Sequence, residues 1–313
     1  MDLIEKIALY LGFSKEQIVK HSKRCSKTYR LYKIPKKGKL TGFRTIYHPA
    51  KETKAIQYAL MEILLGDFKV SESAIAYKRG LSSPLRENAL LHAPYKYSVR
   101  IDFENFFLSL QPRDLARMAK SKFDLNDKEI DFLIKSLFVD LGSGRSGLGV
   151  GAPSSPMVSN IIMYELDEEI QKIALKIDPK SVYSRYADDI IFSTDQKGAC
   201  KQFYDQLASV IKSSKSPRLK INDLKTIFSS RGSRRMITGL IVTPNGDVSI
   251  GRRNKRYIKK LLFDFSKSKI SDKNKSYLKG YLSYIEDVEP DFLNSLSLKY
   301  GAALLEKIRM DQF

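Results

Sequence analysis

Hydrophobic positions along the chain switch repeatedly between the spacing of a helix and the alternation of a strand. Leu3, Ile4, Ile7, Ala8 and Leu11 recur at near-helical intervals within residues 1–24, and Ser14 is placed to cap a second helical stretch over Lys15–Lys20. Tyr29–Tyr47 alternates instead: Tyr-Arg-Leu-Tyr-Lys-Ile turns through Pro-Lys-Lys-Gly-Lys and returns as Phe-Arg-Thr-Ile-Tyr, predicting a basic β-hairpin. Its lysines serve equally well as guards on a solvated sheet edge. Ala50–Gly66 predicts an amphipathic helix with Ile56, Ala59, Leu60, Ile63 and Leu64 on one face. Tyr97–Ile101 predicts a strand ending at Asp102, and Pro112 opens a further helix.

Leu141–Val150 is broken by Gly142, Gly144, Gly147 and Gly149 and predicts a loop. It runs into Gly151-Ala152-Pro153-Ser154-Ser155-Pro156 and a helix over Met157–Ile177, with Ser154 or Ser155 as N-cap. Val182–Ala187 and Ile190–Thr194 are β-rich arms around Asp188 and Asp189, predicting a hairpin with its turn at the acids. Lys201–Ile211 is helical, and Leu219–Ser229 is a basic stretch leading into a strand. Met236–Thr243 and Val248–Gly251 flank Asn245-Gly246, the signature of a hairpin turn. From Arg252 onward the pattern is helical, with Ile258, Leu261, Leu262 and Phe265 set among Arg252, Arg253, Lys255, Arg256, Lys259 and Lys260.

Charge changes this picture more than composition does. The 313 residues are 42% hydrophobic and 29% charged, an ordinary globular balance able to bury a sizeable core. Yet 55 Lys and Arg stand against 35 Asp and Glu, a net charge of +20. Such an excess draws polyanions and points to nucleic acid or an anionic membrane. No stretch approaches the roughly 20 apolar residues of a membrane span, and the N-terminus lacks the order of a signal peptide. Two distant cysteines and three scattered histidines give neither a disulfide framework nor zinc-ligand spacing. The expectation is a soluble, cytoplasmic protein with no membrane partner.

Candidate chemistry centres on the carboxylates. Adjacent Asp188 and Asp189 repel one another, and a divalent cation removes that repulsion, although an Asp-Asp turn can simply be solvated. Asp102 ends a strand, where both site residues and helix caps are common. Lys78 and Arg79 beside Gly80 could clamp a triphosphate or form a surface turn. No Gly-x-x-x-x-Gly-Lys-Ser/Thr sequence occurs, which excludes an NTPase P-loop.

In order, a strand ending in an acid, a glycine loop opening a helix and a hairpin bearing Tyr186-Ala187-Asp188-Asp189 resemble the palm of reverse transcriptases from about Arg44 to Gly239. The resemblance implies an α+β, right-hand polymerase architecture: fingers and palm, with an antiparallel sheet packed on helices, and a helical thumb. The expected domains are 1–96 (helical lead-in and fingers), 97–250 (palm, with a finger insertion at about 113–148) and 251–313 (basic helical thumb). It implies two Mg²⁺ ions on Asp102, Asp188 and Asp189, with Lys225 assisting pyrophosphate departure. Arg44, Lys78, Arg79, Phe107, Gly151, Ala152, Pro153 and Tyr186 would contact the incoming dNTP or primer end, Phe107 as the gate against ribonucleotides. Val150 stands where the family usually has Gln, so nucleotide discrimination or processivity is expected to differ.

A narrower resemblance is to bacterial retron reverse transcriptases. Asn88-Ala89-Leu90-Leu91-His92 matches their Asn-Ala-x-x-His signature, and Ile237-Thr238-Gly239 approximates their Val-Thr-Gly. This implies RNA binding by Asn88 and His92 and by the thumb cations Arg252, Arg253, Lys255, Arg256, Lys259 and Lys260. It further implies a cognate structured non-coding RNA (msr-msd) and its cDNA, priming from an internal guanosine 2′-hydroxyl to give branched msDNA, and antiphage defence with a separate effector protein. Other bacterial reverse transcriptases (group II intron-like, diversity-generating or abortive-infection) and a non-catalytic RNA-binding scaffold remain the competing classes.

Overall fold

Capping chemistry starts the first elements in a computed structural model that describes residues 1–35, 42–78, 80–123 and 125–310. Helix α1 (Leu3–Leu11) begins on a reciprocal Asp2–Glu5 capping box and α2 (Lys15–Cys25) on Ser14–Gln17. Strands β1 (Tyr29–Pro35) and β2 (Phe43–Pro49) pair antiparallel as the arms of the predicted basic hairpin, whose expected Pro-Lys-Lys-Gly-Lys turn lies outside the described residues after Pro35, and α3 (Lys51–Ile63) follows. Next come α4 (Pro84–His92), β3 (Tyr97–Asp102), the short α5 (Phe106–Ser109), α6 (Pro112–Lys122) and α7 (Asp127–Leu137). The glycine-rich segment is partly ordered as a hairpin, β4 (Val139–Gly142) and β5 (Arg145–Gly147), because Gly142, Ser143 and Gly144 all take left-handed angles at its turn. Helix α8 (Ser155–Ile177) starts ahead of the expected Met157.

Strands β6 (Val182–Tyr186) and β7 (Asp189–Thr194) form the central hairpin, followed by α9 (Ala199–Ser213) and β8 (Ile227–Ser230). The stretch expected as one strand over Met236–Thr243 is instead β9 (Arg235–Ile237) and β10 (Leu240–Val242). Thr238 and Gly239, with φ of 47° and 84°, fold it back on itself. The Asn-Gly turn then leads to β11 (Val248–Ser249). Helices α10 (Arg252–Ser266), α11 (Asp272–Val288), α12 (Pro290–Tyr300) and α13 (Ala302–Met310) complete the described chain. None of the described helices is long and apolar enough to cross a membrane.

The four-stranded sheet runs β6-β7-β3-β8 with every neighbour antiparallel, and its register decides what each face carries. Successive side chains alternate between faces. Asp102 pairs with Asp189 and Asp189 with Tyr186; Arg100, Ile191 and Ser184 form the next row, and Ser98, Ser193 and Val182 the one after. These rows share one face. The other face carries Val99, Phe192 and Tyr183, then Ile101, Ile190 and Arg185. It packs into the larger core with α8 and α9, where Phe192 stacks on Phe203 at 4.3 Å. The acid-bearing face meets a second core, in which Ile191 packs with Ala89 and Ala93 of α4, Ile237 and Leu240, and the C-terminal helices. The result is an α+β fold whose sheet carries its acids at one end of one face, while the other face is apolar apart from the buried Arg185.

Two glycines show how close the packing is. A Cβ on Gly147 would lie 2.7 Å from the Leu108 carbonyl oxygen and 2.9 Å from its Cα, both backbone atoms, while Leu148 N donates to Phe107 O at 2.9 Å. Gly280, inside α11, has open space where a Cβ would go. Gly147→Ala should therefore cost about 1–3 kcal/mol by overpacking against a part of the chain that cannot rotate away. Gly280→Ala should gain about 0.4–1 kcal/mol by restricting the unfolded chain. Urea midpoints of the two variants should move in opposite directions; equal shifts would contradict the packing at Gly147.

Candidate active site

Three acidic residues are placed where β3 ends and β7 begins. Asp102 and Asp189 are cross-strand partners, and Asp188 sits in the β6–β7 turn after Ala187, whose φ is 56°. The predicted turn at the acids is thus carried by Ala187 and Asp188, with Asp189 already in the strand. Phe103 N donates to Asp188 O at 3.1 Å, tying the turn to the chain just beyond Asp102. Asp102 is buried, and its carboxylate accepts from Lys225 Nζ at 2.8 and 2.9 Å and from Asn222 Nδ2 at 3.1 Å. Asn222 N also donates to Asp102 O at 2.8 Å, so the 222–225 segment grips both the main chain and the side chain of this acid.

The acids feel each other. Burial, and then the charge of Asp102, push the Asp188 carboxyl up from its ordinary value against the weaker pull of Lys225 and Arg44. Burial, with the charges of Asp188 and Asp102, pushes Asp189 up to about 6, against Arg100 and Lys225. Two adjacent acids whose ionised forms are disfavoured by burial and by neighbouring negative charge, with a third carboxylate across the strand, are a donor set that a divalent cation fits. Among the described residues no three such ligands already converge on one point. Asp102 faces Lys225, and the ammonium fills a cation's place beside it.

Other expected contacts gather around this end of the sheet. Arg44 on β2 lies within electrostatic reach of Asp188. Tyr47 N donates to Val150 O at 2.7 Å, laying Gly151–Pro153 against β2. Gly151 has φ 103°, and a Cβ there would be 2.7 Å from Ile46 Cγ2, so this segment needs glycine. Ala152 is buried beneath it. Phe107 is half-buried, edge-on to Phe106 at 5.3 Å, and Tyr186 is half-buried on the acid-bearing face. Lys78 is ion-paired with Glu72, and Arg79 lies outside the described residues. Ser154 stands at the N-cap of α8, but its buried hydroxyl makes no cap hydrogen bond.

Asn88 and His92 correct an expectation. Both are fully buried, so neither side chain faces an RNA ligand. Ser184 Oγ donates to Asn88 Oδ1 at 2.6 Å. With its only proton spent there, Ser184 Oγ accepts from His92 Nε2 at 2.7 Å, which leaves Nδ1 to accept from Ser193 Oγ at 2.9 Å. The histidine is neutral: burial, helped by Arg235, lowers it to about 3. The second signature meets the same helix, for Thr238 Oγ1 donates to Leu85 O at 2.8 Å, and nearby Arg235 Nη2 donates at 2.9 Å to the carbonyl of Ala93, the residue that ends the helix. Together they clamp α4 onto the acid-bearing face of the sheet.

The C-terminal cations divide likewise. Arg252, Arg253, Arg256 and Lys260 are exposed. Lys255 is ion-paired with Glu289, and Lys255 and Lys259 lie over the Phe292 ring at 4.8 and 5.6 Å, so part of the expected RNA-facing charge is used inside the helical bundle. Sequence reasoning missed Asn222 and Arg185 as site residues. Asn222 lies in the same short segment as Lys225, whereas nothing in the local pattern distinguishes Arg185 from a solvated strand cation.

The family model described as reverse transcriptase (RNA-dependent DNA polymerase) matches residues 34–274. The chain is 34% identical over 285 residues to the Retron Ec83 reverse transcriptase of Escherichia coli, covering 90% of this chain and 89% of that protein. It is 36% identical over 276 residues to the Retron Ec73 reverse transcriptase of the same organism, covering 85% and 84%. Among solved structures, apo telomerase from Candida tropicalis shares the fold with a TM-score of 0.51 at 15% identity, over 91% of this chain and 58% of that one. This chain therefore spans little more than half of that telomerase. With the family model and the retron relatives covering most of its length, the chain belongs to the reverse transcriptases, RNA-directed DNA polymerases, on their retron branch.

Proposed function

We propose that this polymerase copies a cognate structured non-coding RNA into branched msDNA, priming from an internal guanosine 2′-hydroxyl, and acts with a separate effector protein in antiphage defence in the cytoplasm. The observation that carries the polymerase site is the pairing of Asp102 with Asp189, with Asp188 in the adjoining turn. The retron step rests on the relatives and on the two signatures that hold α4.

In this reading Asp102, Asp188 and Asp189 hold two Mg²⁺ ions. When bound, such a pair activates the attacking hydroxyl and neutralises charge on the departing pyrophosphate. To serve as a ligand Asp102 turns from Lys225, which frees Lys225 Nζ to donate a proton to the pyrophosphate. Arg44 and Lys78, with Arg79, receive the triphosphate, and Gly151–Pro153 offers a close backbone surface to the nucleotide. Phe107 crowds the position of a ribose 2′-hydroxyl, and Tyr186 supports the primer end. Arg252, Arg253, Arg256 and Lys260 grip the template–primer backbone, so binding weakens steeply with salt. The working divisions are residues 1–96, 97–250 and 251–313 as fingers, palm and thumb.

The test is made in cells carrying the protein with its flanking DNA. Extracted nucleic acid should contain a short single-stranded DNA whose mobility changes on RNase or debranching treatment. Linear cDNA would keep the polymerase and remove the retron priming.

A further inference from the structure

The strongest unassigned feature is a fully buried cation on the side of the sheet opposite the acids. Arg185, immediately before Tyr186, is 0% exposed, as is its partner Asp167 on α8. The guanidinium binds Asp167 in a fork, Nε at 2.8 Å to Oδ1 and Nη2 at 2.7 Å to Oδ2. Nη2 also donates to Asn160 Oδ1 at 3.1 Å, and Tyr183 Oη donates to Asp167 Oδ1 at 2.7 Å. An ion pair built only to fill the core would be complete at this point. Nη1 is left over, and it turns to the hairpin: it donates to the carbonyl oxygen of Ala187 at 3.1 Å.

Ala187 is where that bond matters. It takes φ 56°, an uncommon angle for a residue with a side chain, and it directly precedes Asp188. Arg185 itself cannot drift, because its N donates to Ser73 O at 2.7 Å and its carbonyl accepts from Ile75 N at 2.9 Å. Asn160 is fixed in turn by Nδ2 donating to Ala76 O at 2.9 Å. Asn160 and Asp167 lie two turns apart on one face of α8, the helix whose N-terminus carries the Gly151–Pro153 segment. One guanidinium thus joins the helix below the nucleotide segment to the turn that aims an acid.

We infer that Arg185 is a positioning residue of the polymerase site, which holds the Ala187–Asp188 turn in its left-handed form through Nη1 and registers it against α8 through Asp167 and Asn160. Lysine cannot replace it, since a single ammonium does not span Asp167 and the Ala187 carbonyl together. The inference rests on Asp188 acting in nucleotide transfer.

The test separates positioning from mere stability. In Arg185→Met/Asp167→Leu the buried charges are replaced by apolar volume, so neither is left as an unpaired buried ion, but the bond to Ala187 is lost, and Tyr183 Oη and Asn160 Oδ1 lose their partners as well. We expect a folded protein with a lowered melting temperature and, assayed well below that transition, template–primer affinity within about twofold and kcat for nucleotide addition down roughly tenfold to a hundredfold, the range of a misplaced reacting group. Mn²⁺ binding to the metal-free protein, followed by electron paramagnetic resonance, should weaken in parallel. Arg185→Lys keeps a paired charge and serves should the apolar pair not fold, with the same loss expected. Ala187→Gly, which adopts a positive φ freely, should cost less kcat when combined with Arg185→Lys than when made alone. Natural kcat and Mn²⁺ affinity in a folded variant, with no coupling between positions 185 and 187, would overturn the inference. A natural protein that adds no nucleotide would instead remove the polymerase reading on which it rests.

Discussion

Asn in place of Asp188 is expected to lower nucleotide incorporation on a primed RNA by roughly a thousandfold or more while leaving RNA affinity within about twofold. The size follows from what the carboxylate does. A catalytic metal supplies several kcal/mol of transition-state stabilisation, and each 1.36 kcal/mol is about tenfold in rate. Asn is nearly isosteric with Asp, so the turn and its neighbours need not move, and the exposed cations of α10 are untouched. The stability effect has the opposite sign. Burial and the Asp102 charge already raise the Asp188 carboxyl, so its ionised form is disfavoured in the folded protein. Removing that charge should raise the melting temperature of metal-free protein. A variant less stable than the natural protein, or one that still makes cDNA, would sink the assignment.

That opposition between function and stability is also why the acids could be found from sequence. A neighbouring pair of carboxylates in an apolar hairpin breaks the local pattern, and such breaks mark sites. Asp102, Gly151 and Tyr186 are legible only through the order of motifs that resembles a reverse transcriptase palm, since a strand-end acid, a loop glycine and a strand tyrosine are each ordinary alone. The helices and the central hairpin were legible because their periodicity and caps agree with their burial. What was not legible depends on long-range partners. Asn88 and His92 read as recognition residues because they match the retron Asn-Ala-x-x-His signature, and a signature does not say which way a side chain faces. Only the positions of Ser184 and Ser193, across the sheet, turn them inward. Lys255 looked like one more free cation until Glu289 came beside it, and Arg185 like a strand surface charge until α8 covered it. The split of Met236–Thr243 into two strands is a local miss of another kind, for Thr238-Gly239 is a weaker turn signal than Asn245-Gly246 beside it.

The buried His92 makes stability depend on pH in a way that can be isolated. In the folded protein its imidazole is lowered to about 3, by burial first and then by Arg235; in the unfolded chain it titrates near the reference value of 6.5. Above pH 6.5 both states hold it neutral, and the folded state keeps its full advantage. As pH falls below 6.5 the unfolded chain takes up a proton that the folded protein refuses until about pH 3. Stability therefore declines across that window, at up to about 1.4 kcal/mol per pH unit. Asp188 and Asp189 work in the other direction, because their raised values let the folded protein bind protons first. The raw pH profile is consequently a mixture, and the difference between natural protein and His92→Gln is the useful quantity. Gln carries both a donor and an acceptor but lacks the rigid ring that sets them on Ser184 and Ser193 together and fills the site, which should cost about 1–3 kcal/mol at pH 7, and it does not titrate. Urea unfolding at pH 7 should thus find His92→Gln the less stable protein. Near pH 5, where the natural protein has lost about 2 kcal/mol from this group, the two curves should meet, and at lower pH the variant should be the more stable. A difference that stays constant from pH 7 to 4.5 would mean that His92 accepts a proton in place, and that α4 is not clamped to the sheet through a neutral imidazole.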